Sequence, residues 1–259
     1  MLLVQAFWTA VQEPTGRAER FLSALELRRL QEMRFPLRVR SFLLGRLAAK
    51  VVLQQYPACQ TLEPMQITVA NRPEGTPYAL VAGEELDVSI SISHSRETAV
   101  SAFLAAPGFS VGVDLEALEP RSRAFLADFF TADEVDFVDS RPGPEQVFWA
   151  NCIWSAKEAV LKAAGTGLRM DSRSVAITPR ESQSEPGGWQ HLVATGPGIA
   201  TESCQVCWMP FGCFVLTLAV LCRQMPVVPF EVRILRHRTP PWPPQGCALR
   251  SDSIESSTT

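Results

Sequence analysis

The chain of 259 residues contains few of the residues that build disulfide frameworks or zinc centres. It has seven cysteines and three histidines, and the one short cysteine spacing is Cys204-x-x-Cys207. An odd number of cysteines without paired spacings predicts neither a disulfide framework nor a four-ligand zinc site. We therefore expect a protein of a reducing compartment, the cytoplasm.

Long apolar runs are equally scarce. The longest, residues 211–222, contains Gly212 and falls short of a membrane-spanning length. We interpret it as a buried strand and expect no contact with a membrane. Residues 1–8 are apolar but lack the charged region and long apolar core of a secretion signal, so we predict a first strand there. A hydrophobic fraction of 46% indicates a globular protein.

A formal net charge of only −3 hides a basic stretch between residues 17 and 50. Nine basic residues and three glutamates give it a local charge of +6: Arg17, Arg20, Arg28, Arg29, Arg34, Arg38, Arg40, Arg46 and Lys50 against Glu19, Glu26 and Glu32. Such a stretch attracts nucleic acid, a phosphorylated cofactor or an acidic protein. The alternative is a solvated, arginine-rich helix face.

The segment Val111-Gly112-Val113-Asp114-Leu115-Glu116 alternates as a β-strand does. The side chains of Asp114 and Glu116 then project from one face, opposite the apolar residues. Paired carboxylates suit Mg²⁺, which is usually held by one or two carboxylates together with substrate phosphate oxygens. A solvated strand edge is the alternative when this motif stands alone.

A helical segment, residues 153–162, adds an acid and a base. Trp154, Glu158 and Lys162 follow one another at intervals of four, which places them along one helix face. A lysine there can neutralise charge on a transferring or departing phosphate. By themselves, Glu158 and Lys162 are also a common surface ion pair.

With Ser91-Ile92-Ser93-His94-Ser95 before them and Gly165-Thr166-Gly167-Leu168 after them, these segments follow a recognisable order. In that order they resemble the motifs of the 4′-phosphopantetheinyl transferase superfamily, specifically its single-chain, Sfp-type members. The resemblance implies Mg²⁺-dependent transfer of the 4′-phosphopantetheine arm of coenzyme A to a serine of an apo acyl or peptidyl carrier protein. Adenosine 3′,5′-bisphosphate is the product that leaves.

The resemblance also implies roles for the acidic residues and the lysine. Asp114 and Glu116 resemble the metal ligands, and Glu158 resembles a third ligand, the general base, or both. Lys162 resembles the lysine that contacts the pyrophosphate, so that Glu158 and Lys162 are the expected catalytic pair. Asp114 and Lys162 are also expected to contact coenzyme A.

Residues for the nucleotide end of coenzyme A follow from the same resemblance. Ser93 and His94 are expected at the 3′-phosphate, and Arg34 and Arg40 at the nucleotide phosphates, with Arg28 and Arg29 as alternatives. This chain departs from the family pattern at Gly75-Thr76-Pro77, where a basic residue is expected instead of threonine. Either a phosphate contact is lost, or Arg72 supplies it.

Two stretches look like copies of one another and predict a duplicated α/β unit. Ser23 with Glu26 and Thr131 with Glu134 form capping-type helix starts. Each is followed by a longer helix, and we match the lysines that end the two helix patterns, Lys50 and Lys162. Short strands are predicted at residues 66–70, 88–92, 99–104, 111–115, 174–177, 204–208 and 214–220.

The expected fold class is α/β (α+β), with two pseudo-twofold lobes, each a small and mainly antiparallel sheet packed by helices. Residues 1–105 form the predicted N-terminal lobe, and residues 106–235 the C-terminal lobe with the metal site. The family resemblance places coenzyme A between the lobes. A proline- and serine-rich tail is predicted for residues 236–259, without order. Because one chain contains both halves of the site, we expect a monomer.

Two other functions compete with transfer. A serine hydrolase would use Ser93 or Ser95 with His94, but neighbouring residues of a strand point to opposite faces. A non-enzymatic module would bind coenzyme A or phosphate through the arginine-rich half; nucleic acid is disfavoured because three carboxylates repel a polyanion. Metal dependence separates the three, since only transfer requires it.

Overall fold

The computed structural model describes residues 2–12, 18–166, 170–180, 188–223 and 229–237. Arg17, Gly167, Leu168 and the predicted tail beyond residue 237 lie outside these ranges. Within them, no helix has the length and apolar character needed to span a bilayer.

Both halves of the chain start with a long strand that leads into helices and then into further strands. The first half contains β1 (Leu2–Val11), α1 (Ala24–Gln31), α2 (Pro36–Leu53), β2 (Ile67–Asn71), β3 (Pro77–Val81), β4 (Glu84–Glu85), β5 (Ser89–Ser95) and β6 (Thr98–Leu104). The second contains β7 (Phe109–Ala117), α3 (Arg123–Phe129), α4 (Ala132–Asp139), α5 (Gly143–Ala164), β8 (Ala176–Pro179), β9 (Gln190–Thr195), β10 (Cys204–Phe211), β11 (Phe214–Cys222) and β12 (Phe230–Arg236).

These strands form three sheets in the described part of the chain, with the orders β12-β1-β6-β5, β7-β11-β10-β9-β8 and β2-β3-β4. All neighbours are antiparallel except β12 and β1, which are parallel. The order β1-β6-β5 in one sheet has its counterpart in β7-β11-β10 of the other. The predicted α/β class with small, mainly antiparallel sheets is confirmed.

The alternating apolar residues of β1 and β7 bury their side chains in one shared core between the two larger sheets. Val4, Ala6 and Trp8 meet Val111, Val113 and Leu115 there. On the opposite face of the second sheet, α5 packs through small and branched side chains: Ala156, Ala159, Val160 and Ala163. The strand alternation therefore places Asp114 and Glu116 on the face that carries α5.

The last strand differs from the predicted lobe division. Segment β12 pairs with β1 of the first sheet, from Leu2 opposite Phe230 to Trp8 opposite Arg236. The His237 N–H then donates to the Trp8 carbonyl (2.9 Å). The chain thus returns to the first half before residue 236, where the predicted tail begins.

The strand predicted at residues 214–220 is present within β11, but the apolar run 211–222 is not one strand, because Phe211 ends β10. Gly212 adopts φ +61°, a left-handed conformation that favours glycine, and turns β10 into β11. Four strands were also missed: β3, which starts at Pro77, the two-residue β4, β9 and β12.

Both predicted capping boxes are present and belong to a repeated buried ion pair. Glu26 caps α1 with Ser23 and bonds Lys50 (2.5 Å), and its other oxygen accepts the Val69 N–H (3.0 Å). Glu134 caps α4 with Thr131, bonds Lys157 (2.8 Å) and accepts the Ile177 N–H (2.7 Å). The counterpart of Lys50 is therefore Lys157, and our match of Lys50 to Lys162 was wrong.

Candidate active site

A close approach of α5 to β7 brings the two predicted motifs together. At Gly112 an added Cβ atom would lie 1.8 Å from the Ala159 carbonyl oxygen and 2.7 Å from the Ala163 nitrogen. Only glycine leaves room for the helix backbone at this distance. As a result, Glu158 and Lys162 of the helix lie over Asp114 of the strand.

Asp114 lies at the centre of the site and is 3% exposed. Its Oδ1 atom accepts hydrogen bonds from Lys162 Nζ (2.7 Å) and from Ser93 Oγ (2.7 Å). Its Oδ2 atom is buried and has no hydrogen-bond partner in the described part of the chain. A buried carboxylate oxygen without a partner is costly, which makes it a candidate ligand for a cation.

Glu116 is held by two neighbouring side chains. Trp154 Nε1 donates to its Oε1 (2.9 Å), and Arg121 Nη2 donates to its Oε2 (2.7 Å). Burial and the Asp114 carboxylate raise the pKa of Glu116, against the opposing effect of Arg121 and Trp154. Arg121 also donates to buried Asn151 (2.7 Å), so the guanidinium that holds Glu116 is itself fixed in place.

Trp154 packs against aromatic neighbours and also holds Glu116 through the hydrogen bond of its Nε1 atom. Its ring contacts Phe125 and Phe129, with centroids 5.1 and 4.9 Å away. The sequence did not single out Arg121, because its function depends on a contact across the fold rather than on a local spacing.

Glu158 faces the same centre. Its Oε1 atom is buried and has no hydrogen-bond partner among the described residues. Burial raises the pKa of Glu158, the Asp114 and Glu116 carboxylates raise it further, and the Lys162 ammonium opposes them. Lys157 points away from this centre into the interior, where it bonds Glu134 as well as the carbonyls of Ser172 and Val175.

The donor set suits a hard cation such as Mg²⁺, because the unpaired oxygens of Asp114 and Glu158 belong to carboxylates. In the described ranges no three His, Cys, Asp or Glu side chains already form a group able to hold a metal ion. Glu116, which we predicted as a metal ligand together with Asp114, already accepts one hydrogen bond at each of its oxygens. The residues therefore fit a metal held by the unpaired oxygens of Asp114 and Glu158, with Glu116 as a further ligand through the second lone pair of one of its oxygens.

Ser93 and His94 serve the site from opposite faces of β5. The hydroxyl of Ser93 bonds Asp114 and accepts from Lys162 Nζ (3.1 Å). His94 instead lines a neighbouring groove. Burial lowers the pKa of His94, and the Lys162 ammonium lowers it further, against Asp114.

The serine hydrolase arrangement is not formed. Ser95 accepts the Ala117 N–H (3.2 Å), and Ser93 bonds Asp114. In the described part of the chain, neither hydroxyl bonds His94.

A groove of about 1180 Å³ lies between α1, α2 and the β2–β3 hairpin and reaches His94. Five arginines line it: Arg28, Arg29, Arg38, Arg46 and Arg72. Of the four arginines that the sequence proposed, Arg28 and Arg29 lie in the groove and Arg34 and Arg40 do not. Arg40 forms an exposed ion pair with Glu97 (2.6 Å).

Two of the groove arginines are fixed by the fold. Arg46 donates to Asn71 Oδ1 (2.5 Å) and lies 3.8 Å from Glu26 Oε1. Arg72 lies over the Tyr78 ring, 4.7 Å from its centroid, and bonds Glu85. The groove thus has a basic residue close to the turn where threonine replaces the expected one.

Carboxylates and a lysine beside an arginine-lined groove form a site of the kind used in phosphoryl transfer. Residues 110–195 match the family model described as the 4′-phosphopantetheinyl transferase superfamily. The chain is 30% identical to the 4′-phosphopantetheinyl transferase HetI of Nostoc sp. (strain PCC 7120) over 165 residues, 62% of this chain and 67% of that one. It therefore belongs to this superfamily.

Other relatives match shorter stretches. The 4′-phosphopantetheinyl transferase psf-1 of Bacillus pumilus is 30% identical over 138 residues, 53% of this chain and 55% of that protein. The Sfp enzyme of Bacillus subtilis (strain 168) is 32% identical over 93 residues, 35% of this chain and 40% of that protein. The chain thus spans about half the length of these two proteins.

A solved structure also matches part of the chain. It is a holo-(acyl-carrier-protein) synthase from Bacillus anthracis str. Ames in complex with CoA (3′,5′-ADP). The match has 29% identity and a TM-score of 0.30, and it covers 33% of this chain and 76% of that one.

Proposed function

We propose that this protein transfers the 4′-phosphopantetheine arm of coenzyme A to a serine of an apo acyl or peptidyl carrier protein. Membership of the superfamily supports the reaction. The structural observation that carries it is the Lys162–Asp114 contact (2.7 Å), with the buried Oε1 atom of Glu158 facing the same centre, next to the arginine groove. The names of several relatives state the same activity.

The arginine groove is the proposed site for the nucleotide end of coenzyme A. Guanidinium groups bind phosphate oxygens through paired, charge-assisted hydrogen bonds. His94 lines the groove and is next in the chain to Ser93, which bonds Asp114. A coenzyme A molecule that binds along the groove would therefore bring its pyrophosphate towards Lys162.

Glu158 is the proposed general base. The serine oxygen of the carrier forms a bond to the β-phosphorus of coenzyme A, and its proton passes to Glu158. The bond from that phosphorus to the bridging oxygen breaks, and adenosine 3′,5′-bisphosphate departs with the electron pair. A carboxylate with a raised pKa is suited to accept this proton. Lys162 stabilises the charge on the departing phosphate.

Magnesium is the proposed cofactor, and Asp114 and Glu158 would hold it, with Glu116 as a further ligand. Bound there, it would polarise phosphoryl oxygens and offset their negative charge. The two unpaired carboxylate oxygens support this assignment.

We further propose a cytoplasmic monomer that serves polyketide, non-ribosomal peptide or fatty-acid carriers. Support for a monomer comes from the site itself, in which Ser93 of the first sheet bonds Asp114 of the second within one chain. The alternative, a module that only binds coenzyme A, gives no chemical purpose to the two buried carboxylate oxygens that lack a partner among the described residues, Asp114 Oδ2 and Glu158 Oε1.

The test is the intact mass of an apo carrier protein after incubation with this protein, coenzyme A and Mg²⁺. We expect the carrier to gain one phosphopantetheine, and EDTA to abolish the gain. Asp114→Asn should lose the transfer but still bind adenosine 3′,5′-bisphosphate. If several carrier types gain no mass although coenzyme A binds, the protein is a coenzyme A-binding module and not a transferase.

A further inference from the structure

Strand β5 carries a serine at every second position. Ser89, Ser91, Ser93 and Ser95 therefore project from one side of the strand. This side faces β7, although the two strands belong to different sheets. In the described part of the chain, β5 and β7 share no backbone ladder.

Serine side chains take the place of that ladder. The Val111 N–H donates to Ser89 Oγ (3.0 Å), the Val113 N–H to Ser91 Oγ (3.0 Å) and the Ala117 N–H to Ser95 Oγ (3.2 Å). All three bonds join residues 22 positions apart, so the strands run side by side in one register. We call Ser89, Ser91 and Ser95 the serine seam.

The seam sets the separation of the two sheets. Strands joined by a backbone ladder lie about 4.8 Å apart. A hydroxyl interposed between the backbones holds them further apart, which leaves room for side chains between the strands. Ser93 occupies this space differently from its neighbours, because its hydroxyl donates to Asp114 and accepts from Lys162.

We propose that Ser91 and Ser95 are positioning residues, which fix β5 against β7 so that Ser93 lies opposite Asp114 and Lys162 while His94 lines the groove. Ser91 is 3% exposed, and its own carbonyl accepts the hydroxyl of Ser101 on β6 (2.9 Å). It is thus fixed from both sides. This inference rests on the proposed function.

A loss of register would affect transfer more than nucleotide binding. The groove arginines and His94 all belong to the first half of the chain and move together with β5. The acidic centre and Lys162 belong to β7 and α5. A displaced β5 keeps the groove intact but aims the bound substrate away from Asp114.

Ser91→Ala tests this relation, with Ser89→Ala as the matched control. Both variants lose one hydroxyl that accepts a backbone N–H at 3.0 Å, but Ser89 lies four residues from Ser93. For Ser91→Ala we expect kcat of transfer to fall at least about tenfold. Its Kd for adenosine 3′,5′-bisphosphate, from calorimetry, should change less than about threefold. Ser89→Ala should keep both quantities within about threefold of the parent protein.

If the two variants lower kcat equally, or neither lowers it, the seam has only a structural role. An equal loss of kcat and nucleotide affinity in Ser91→Ala would overturn the proposal as well. Ser95→Ala should behave as Ser91→Ala does, because it flanks Ser93 from the other side.

A separate readout covers the case in which the parent protein transfers nothing. Amide hydrogen exchange at Val113 and Ala117 measures the stability of the seam bonds without an activity assay. Ser91→Ala should speed exchange at both amides, whereas Ser89→Ala should affect only Val111. If exchange at Val113 is unchanged in Ser91→Ala, the seam bond does not hold the strands, independently of the enzymatic reaction.

Discussion

Lys157 and Glu134 form a fully buried ion pair (2.8 Å) that repeats, in the second half of the chain, the pair of Lys50 and Glu26 (2.5 Å). In each pair the glutamate also caps its own helix and accepts a backbone N–H at a strand. One carboxylate thus ties a helix start, a long helix and a sheet together. The two halves therefore share this stabilising ion pair as well as their strand order.

Removal of one partner from this pair is expected to destabilise the protein strongly. Lys157→Met leaves Glu134 charged, buried and short of a cation, which costs about 3–5 kcal/mol. Urea unfolding followed by circular dichroism would measure it. The double variant Lys157→Met with Glu134→Met should recover part of the loss, since no unpaired charge remains. If Lys157→Met changes stability no more than the exposed Arg29→Met, the pair is not structural.

The local periodicities of the sequence predicted the parts of the site that depend on one element at a time. Strand alternation placed Asp114 and Glu116 on one face, and helical spacing placed Trp154, Glu158 and Lys162 on another. Both patterns hold because the core fixes the opposite faces of β7 and α5.

What the sequence did not predict depends on contacts between distant elements. Arg121 reaches Glu116 only because the chain after β7 folds back towards α5. Arg38 lines the groove and Arg34 does not, because of the way α2 packs. The spacing of arginines in a polar stretch does not predict which of them face a groove. Similarly, β12 joins β1 by a long return, and its pairing leaves no short-range signal.

Gly112→Ala is expected to separate α5 from β7. The new methyl group would lie 1.8 Å from the Ala159 carbonyl, so the helix must move or the strand must bend. Overpacking of this kind costs about 1–3 kcal/mol, and Glu158 moves with the helix. We expect a lower free energy of unfolding together with a large loss of transfer.

Gly83→Ala is a control for Gly112→Ala. Gly83 adopts φ +90° and has no heavy atom within 4 Å of an added Cβ, so only backbone strain arises, about 1 kcal/mol. Transfer should survive. Equal activities of the two variants would mean that the close approach of α5 is not needed for the site.

Arg38 and Arg34 lie four residues apart but differ in their relation to the groove. Arg38 lines it, whereas Arg34 lies outside. Arg38→Gln is expected to weaken the binding of adenosine 3′,5′-bisphosphate about tenfold through the loss of one charge-assisted contact. Arg34→Gln should weaken it less than about twofold, and less at high salt. Isothermal titration calorimetry would measure both dissociation constants. A larger loss of affinity in Arg34→Gln than in Arg38→Gln would show that Arg34, not Arg38, is the phosphate ligand.

Glu158→Gln is expected to stabilise the metal-free protein, and to do so only where the native glutamate ionises. Burial and the neighbouring carboxylates raise the pKa of Glu158, so its charged form is disfavoured in the fold. The parent protein therefore loses stability as the pH rises through this raised pKa, whereas the variant does not. Above it, the variant should be more stable by about 1 kcal/mol, the scale of an unpaired buried oxygen.

Urea unfolding in EDTA between about pH 4 and pH 8 would measure this difference. At the acid end both side chains are neutral, and the two free energies of unfolding should converge. Glu145→Gln, an exposed position on the same helix, should follow the parent curve throughout. Added Mg²⁺ should then stabilise the parent protein and not Glu158→Gln, because the variant lacks the carboxylate proposed as a ligand. A constant difference at every pH would show that Glu158 does not titrate as a buried, charge-crowded carboxylate.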